Sequence, residues 1–187
     1  MTAKPRIDRA ALELFTSRGV DAATTREIAA AAGVSEGALY RHYKGKEELA
    51  TALFMTLHHR LSELIADAAA AEQTLEGKAC AVVRAYCRVA DEDWLLFSFH
   101  LLSLHRFLPA YQEDGNDPVS VTARILKLAM AHGDLPEGDP ELLAAMALGV
   151  VTQTAQNMAY GRLAGPLGAH ADQLCAAVLA VLTARPA

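Results

Sequence analysis

The sequence is poor in aromatic residues and cysteine, and it contains no long apolar run. Aromatic residues make up 6% of the chain, and the three cysteines, Cys80, Cys87 and Cys175, form no CxxC pair. No apolar run approaches the ~20 residues that span a bilayer, and the N-terminus MTAKPRIDRA lacks the apolar stretch of a signal peptide. These absences argue against a membrane protein, a disulfide framework and a metal site. They predict buried thiols in a reducing cytoplasm.

Residues that favour helices are abundant by contrast. Hydrophobic residues make up 52% of the 187 residues and charged residues 21%, which suits a packed core rather than disorder. Alanine is very common and β-branched residues are sparse. Because Ala, Leu, Glu and Arg are strong helix formers, we predict an all-α fold of about nine helices.

Charge is distributed unevenly along the chain. Residues 1–60 carry nine Lys and Arg against seven Asp and Glu, whereas residues 61–187 carry eight against fifteen. The formal charges are therefore +2 and −7, within a total of −5. This asymmetry indicates a small anion-binding module joined to a larger part that does not bind anions.

The N-terminal segment predicts a leading helix. Lys4, Arg6 and Arg9 suggest a basic arm, and apolar residues then recur at helical spacing from Ile7 to Phe15. Gly19 supplies the conformation that ends such a helix. The segment therefore brings basic side chains close to the start of a packed helix.

Two short helices joined by a tight turn are predicted next. Thr24 and Glu27 form a T-x-x-E capping box, Gly33 suits the left-handed backbone of the turn, and Ser35 caps the following helix. This arrangement is a helix-turn-helix. The second helix is predicted to present six residues outward, namely Glu36, Gly37, Ala38, Tyr40, Arg41 and His42.

The segment TTREIAAAAGVSEGALYRHYKGKEEL, from Thr24 to Leu49, resembles the N-terminal domain of the tetracycline-repressor (TetR) family of bacterial transcriptional regulators. The resemblance covers about residues 6–54. It implies a helix-turn-helix domain over residues 1–46 and a ligand-binding and dimerisation domain over residues 47–187. It also implies a cytoplasmic homodimer that binds a palindromic operator in double-stranded DNA, represses transcription and is released by a small molecule.

The resemblance also assigns roles to individual residues of the helix-turn-helix. The residues that look like phosphate contacts are Thr25, Ser35, Tyr40, Tyr43 and Lys46. Those placed near base edges or the adjacent backbone are Arg26, Gly37, Ala38, Arg41 and His42. Glu36 either accepts a hydrogen bond from a cytosine amino group or turns away from the DNA. With few long polar side chains, specificity is expected to rest partly on DNA shape.

A long helix is predicted from Pro140 to about Leu163, and it carries a polar stripe. The stripe consists of Gln153, Gln156, Asn157 and Tyr160. Such side chains line a ligand pocket, pair across a dimer seam or face water. The absence of Lys and Glu from Leu142 to Ala159 argues against water, and we favour the pocket over the seam.

Aromatic residues concentrate in a predicted helix from Trp94 to Phe107. Each of its histidines is more often a core residue than a ligand contact, yet the segment has the composition of an apolar cavity wall. The predicted ligand-binding residues are therefore Trp94, Phe97, His100, Gln153, Asn157 and Tyr160. They favour an uncharged, aromatic or amphiphilic effector over a phosphorylated one.

The last predicted helix, from about Gly168 to Ala184, has an apolar stripe. Its members are Leu174, Cys175, Val178, Val181 and Leu182. An exposed stripe of this kind is typical of a dimer interface, so we predict a homodimer formed through the last two helices. The fourth helix, from Lys46 to about Ala71, is the candidate lever between the domains.

Neither catalytic nor cofactor motifs are present. The sequence lacks HExxH, GxSxG and a Walker loop, and no nucleophile, base and acid form a recognisable set. The adjacent His58 and His59 point about 100° apart on a helix, are not joint metal ligands, and are predicted to be partly exposed. The alternative to a regulator is a helical adaptor or ligand-binding protein that has lost operator binding.

Overall fold

The computed structural model describes residues 2–110 and 115–184, and within them it is helical with no strand. Nine α-helices and two short 3₁₀ turns account for the regular structure of this part of the chain. The predicted all-α fold of about nine helices is therefore confirmed. The helices are α1 (Ala3–Arg18), α2 (Thr25–Ala31), α3 (Glu36–Tyr40), α4 (Lys46–Ala70), α5 (Leu75–Glu92), α6 (Trp94–Phe107), α7 (Pro118–His132), α8 (Pro140–Ala159) and α9 (Ala171–Thr183).

Local capping chemistry explains where most of these helices begin. The side chains of Thr24, Ser35, Asp117 and Asp139 each accept a hydrogen bond from backbone N–H groups in the first turn of the helix that follows. Those N–H groups have no intrahelical partner, so a side-chain oxygen stabilises the helix start. Thr74 caps α5 in the same way.

Several predicted helix ends are wrong because backbone breaks and tertiary contacts intervene. Helix α8 ends at Ala159 rather than Leu163, since Gly161 has a positive φ of 71°. Helix α9 begins at Ala171, after a 3₁₀ turn over Leu167–His170. Helix α5 ends at Glu92, within the acidic residues 91–93. Asp91 accepts the backbone N–H groups of Leu167 and Gly168 at 2.7 and 2.9 Å.

The chain divides into two compact units. The first comprises Met1–Leu57 and Leu95–Tyr111, and the second comprises His58–Trp94 and Gln112–Ala187. The divisions therefore fall within α4 and at the start of α6. The predicted domain boundary between residues 46 and 47 stays a prediction. The first compact unit extends beyond that boundary, to Leu57.

The core of the first unit is partly aromatic and includes α6. The ring of Phe15 stacks on that of Phe99 with centroids 5.8 Å apart, and Phe54 lies 4.9 Å from Phe107. The imidazole of His100 stacks on Phe54 at 4.5 Å. The aromatic residues of α6 thus stabilise the unit that carries α1–α3.

The core of the second unit is mostly aliphatic and is built by α7 and α8, α5 and α9, and α8 and α9. Four residues of the last-helix stripe, Leu174, Cys175, Val178 and Leu182, are buried in this unit. The prediction that this stripe faces a second copy is wrong, because it packs inside the protomer. His58, predicted to be partly exposed, is also buried.

Residues 2–110 and 115–184 contain neither a candidate membrane span nor a candidate metal site. No α-helix there combines the length and apolarity needed to cross a bilayer. No group of three or more His, Cys, Asp or Glu in those residues is arranged to hold a metal ion.

Candidate nucleic-acid interface and effector cavity

The turn between α2 and α3 favours glycine because of its left-handed backbone, and Arg6 packs against that turn. Gly33 has a φ of +63°, and the guanidinium of Arg6 donates to the carbonyl oxygens of Ala32 and Gly33. A Cβ atom at position 33 would lie 2.5 Å from Arg6 Nη2. Arg6 therefore supports the turn from α1, and the predicted basic arm is wrong, because all three of its residues lie in α1.

Hydrogen bonds between short side chains order the ends of α2 and α3. The Glu27 carboxylate accepts from the backbone N–H of Thr24 at 3.0 Å and from its hydroxyl at 2.8 Å, which completes the predicted capping box. These bonds lower the pKa of Glu27. The hydroxyl oxygens of Thr25 and Tyr40 lie 3.2 Å apart. Two predicted phosphate contacts from different helices are thus brought together.

Tyr43 follows α3 and is anchored to α1. Its hydroxyl donates to the Asp8 carboxylate at 2.7 Å, and the Lys4 ammonium donates to the same carboxylate at 2.9 Å. Tyr43 is 5% exposed, and burial raises the pKa of its hydroxyl. The structure thus uses Tyr43 to hold α3 against α1, and its phosphate contact stays a prediction.

Lys46 and Arg106 hold the segment between α1 and α2. The ammonium of Lys46 donates to the carbonyl oxygens of Asp21 and Ala23 at 2.6 and 3.0 Å. Arg106 pairs with the Asp21 carboxylate at 2.8 Å and with Glu47 at 3.0 Å. The hydrogen bonds from Arg106 lower the pKa of Asp21. Lys46 therefore has partners inside the protomer, and its predicted phosphate contact remains a prediction.

Three cations in the first unit have no partner among the described residues. Arg26, Arg41 and Lys44 are exposed, and their side chains form no ion pair or hydrogen bond there. The remaining Lys and Arg of this unit all have one, namely Lys4, Arg6, Arg9, Arg18, Lys46 and Arg106. The three free cations follow or lie within the helix-turn-helix, so its exposed surface carries positive charge available to a ligand.

The exposure of α3 differs from the prediction at one position. Glu36, Gly37, Arg41 and His42 are exposed, and Tyr40 is 51% exposed. Ala38, predicted to face outward, is 7% exposed, because α3 ends at Tyr40 and Ala38 lies on its buried side.

Lys44 is a further candidate that the sequence did not single out. Its backbone N–H donates to the Glu48 carboxylate at 2.7 Å, and its side chain is exposed four residues after the end of α3. The signal was present in its position between Tyr43 and Lys46, both predicted phosphate contacts.

An apolar cavity of about 60 Å³, or about 600 Å³ when the open space at its mouth is included, lies within the second unit among α4, α5, α7, α8 and α9. Its lining is aliphatic apart from Lys78, Tyr86 and Thr122. The Thr122 hydroxyl donates to the carbonyl of Pro118 at 2.8 Å, and burial raises the pKa of Tyr86. The other lining residues are Ile65, Ala69, Leu75, Ala79, Val82, Val83, Ile125, Leu126, Ala147, Leu148, Val151, Val178 and Leu182.

None of the six predicted ligand-binding residues lines this cavity. Phe97 and His100 are buried in the first unit and Trp94 belongs to the second, so ligand contacts by these three residues stay a prediction. The amide side chains of Gln153 and Asn157 and the ring of Tyr160 lie on the outer side of α8, where Tyr160 is 58% exposed. The spacing of a polar stripe shows that its residues share one side of a helix. It does not show whether that side faces the cavity.

The capped α2, the glycine turn and α3 define a helix-turn-helix, a motif by which transcription regulators bind DNA. Residues 7–53 match the model of the family described as bacterial regulatory proteins, tetR family. The HTH-type transcriptional regulator SrpR of Pseudomonas putida is 45% identical over 58 residues, which are 31% of this chain and 27% of SrpR. The curated relative is therefore matched over less than a third of its length.

Solved structures match along nearly the whole chain. A regulatory protein in the tetR family from Rhodococcus RHA1 has a TM-score of 0.79 and 25% identity, with 100% of each chain covered. SmeT, the repressor of the Stenotrophomonas maltophilia multidrug efflux pump SmeDEF, has a TM-score of 0.75 and 26% identity over 96% of this chain and 89% of SmeT. Residues 7–53 of this chain therefore resemble the N-terminal domain of TetR-family bacterial regulatory proteins, and the chain has the fold of solved TetR-family regulators.

Proposed function

We propose that this protein is a transcriptional repressor that binds a palindromic operator as a homodimer and is released by a small apolar or amphiphilic effector. The observation that carries the proposal is the group of exposed cations, Arg26, Arg41 and Lys44, beside α3. Cations that neutralise phosphates supply much of the affinity for DNA. Arg26 and Arg41 also have the donor geometry that reads guanine in the major groove.

The remaining polar groups on this surface suit contacts with the DNA backbone. The paired hydroxyls of Thr25 and Tyr40 are exposed or half-buried, and both donate to phosphate oxygens in the proposed complex. Gly37 is exposed and has no side chain, so it allows a close approach to the DNA backbone or to a thymine methyl group.

The outer face of α8 supports a two-fold interface. Leu142 and Met146 are 60% and 49% exposed, and Gly149, Gln153, Gln156 and Tyr160 continue the same face at spacings of three and four residues. An isolated protomer would leave this apolar and amide surface in water. We therefore assign the polar stripe to the dimer seam, the second of the alternatives that the sequence left open, and propose the outer face of α8 as the interface.

Gly149 supports a close helix–helix contact at this seam. A glycine inside a helix costs about 1 kcal/mol relative to alanine. A Cβ atom at position 149 would meet nothing within 4 Å in the protomer, so packing inside the protomer does not require glycine. A second copy lying against α8 supplies the missing reason.

Release by an effector needs two states of the dimer that differ in affinity for the ligand. The cavity supplies a binding site, and α4 contributes Ile65 and Ala69 to its lining. The same continuous helix begins at Lys46, beside the helix-turn-helix. We propose that α4 is the lever, with a coupling free energy of about 1–3 kcal/mol.

The test is a gel shift with duplex DNA from upstream of the protein's own gene. The triple variant Arg26→Ala, Arg41→Ala, Lys44→Ala is expected to lose about a hundredfold or more in affinity. The matched control is Arg60→Ala, Arg84→Ala, Lys127→Ala, which changes the net charge equally but alters only the second unit. Equal losses of DNA affinity in both triple variants would show that the effect comes from net charge alone. Failure of the unmodified protein to retain DNA at low salt would favour the helical adaptor that has lost operator binding.

A further inference from the structure

The cavity in the second unit adjoins a groove on the same unit. Four residues line both spaces, namely Ala69, Leu75, Lys78 and Ile125. The groove has a volume of about 380 Å³, or about 940 Å³ with its open side included, and it is bordered by Arg124, His132 and Asp134. A ligand that fills the cavity therefore reaches a polar surface beside Lys78.

Lys78 is the single charged residue of the cavity lining. Its side chain is half-buried, and within residues 2–110 and 115–184 its ammonium has no carboxylate or carbonyl partner. The Arg124 guanidinium, by contrast, donates to the carbonyl of Gly115. A lysine stem readily lies along apolar surface while the ammonium reaches solvent or an anion. Lys78 thus combines an apolar stem beside the cavity with an available positive charge.

The cavity interior has almost nothing to offer a polar group. The Thr122 hydroxyl is used by its own helix, and apart from the ring of Tyr86 the remaining lining is aliphatic. A polar ligand group without a hydrogen-bond partner in such surroundings loses its hydration without compensation. The polar end of a ligand must therefore stay at the mouth, and its apolar part must fill the interior.

We propose that the effector is an amphiphilic anion, whose aliphatic chain occupies the cavity and whose carboxylate or phosphate pairs with Lys78. This inference rests on the proposed function, because it names the ligand class of the same regulator. It changes the expectation from the sequence, which favoured an uncharged effector over a phosphorylated one, since the single charged residue that lines the cavity is a cation.

The test measures binding to the full-length protein by titration calorimetry without DNA. The probes are dodecanoate, dodecyl phosphate and dodecan-1-ol, which share a chain length and differ in the polar end. At least one anion is expected to bind about tenfold more tightly than the alcohol, and the tighter anion identifies the head group. Equal affinity for all three probes, or binding of none, overturns the proposal.

Two variants separate charge from shape. Lys78→Met keeps an apolar stem and is expected to abolish the preference for the anion while leaving the affinity for the alcohol unchanged. Lys127→Met, on α7 and outside the cavity lining, is the matched control and is expected to keep the preference. A preference that survives in Lys78→Met contradicts the proposed pairing.

The filled cavity gives an independent check. Ala147→Phe places a ring in the cavity wall and is expected to weaken binding of both the anion and the alcohol. A gel shift with the preferred anion added then distinguishes ligand binding from release of DNA. If the anion binds in a way that depends on Lys78 but does not release DNA, the ligand site stands and its role as an effector site is refuted. If the protein does not bind DNA at all, only the proposed regulatory function is refuted.

Discussion

The two compact units differ in which side chains and surfaces remain available for binding after their internal contacts have formed. In the first unit, ion pairs and hydrogen bonds occupy all the described Lys and Arg side chains except those of Arg26, Arg41 and Lys44. In the second unit, packing leaves an apolar cavity and an exposed apolar face on α8. In the function that we propose, DNA recognition uses the unpaired cations of the first unit, whereas ligand binding and assembly use the apolar surfaces of the second.

The largest effect is expected from a charge in the wall of the cavity. Leu182→Arg buries a guanidinium among aliphatic side chains and should lower the free energy of unfolding by about 3 kcal/mol or more. Urea denaturation at fixed protein concentration measures the shift. A stable, folded monomer would instead restore α9 as an exposed interface stripe.

A charge on the outer face of α8 should act on assembly rather than on the fold. Met146→Glu places two carboxylates in a two-fold seam and should raise the dimer dissociation constant by about a hundredfold, because each copy buries an unpaired charge. Sedimentation measures the constant, with Glu141→Gln in the first turn of α8 as the control. A monomeric unmodified protein, or an unchanged dimer in Met146→Glu, would refute the seam.

Base recognition should depend on the unpaired arginines. Arg41→Ala or Arg26→Ala should relax the preference at particular operator positions by about 1–3 kcal/mol, if each guanidinium binds a base edge in two places. Selection from randomised operators measures the preference at every position. The control is Arg9→Ala, whose guanidinium pairs with Glu13 at 3.6 Å, and an unchanged motif in Arg41→Ala would remove that residue from the reading set.

Lys44 and Lys46 should affect DNA binding in different ways. Lys44→Ala should weaken binding to all sequences by about 1 kcal/mol and reduce the salt slope by about one. Lys46→Ala removes hydrogen bonds to the carbonyl oxygens of Asp21 and Ala23, so it should also lower the thermal midpoint. Binding measured across a range of salt concentrations, beside thermal unfolding, distinguishes the roles. If the salt slope of DNA binding changes in Lys46→Ala but not in Lys44→Ala, the phosphate contact belongs to Lys46 rather than to Lys44.

The smallest effect is expected from pH. Arg106 lowers the pKa of Asp21 from its ordinary value of 3.8, so the ion pair contributes stability above that pH and loses it as the pH falls through the folded-state value. Asp21→Asn should therefore reduce the loss of thermal stability in acid, by a small amount because Asp21 is exposed. An identical acid profile in both proteins would show that the pair contributes nothing measurable.

Local chemistry made the N-terminal region readable from the sequence alone. The Thr24 capping box, the Ser35 cap and the positive φ of Gly33 depend on residues within a few positions of one another. The start of α7 at Pro118 and that of α8 at Pro140 follow from equally local aspartate caps. The helix-turn-helix and the all-α fold were predictable for the same reason.

Only the tertiary structure decided which side of each C-terminal helix is buried and which positive charges are free. The spacing of Leu174, Val178 and Leu182 predicts an apolar stripe, but it does not say whether the stripe packs within one copy or against another. The aromatic composition of the segment from Trp94 to Phe107 predicted Phe97 as a cavity residue, but Phe97 does not line the apolar cavity of the second unit. The partners of Lys46, at Asp21 and Ala23, come from residues distant in sequence. Burial and pairing depend on such distant neighbours, and no local pattern encodes them.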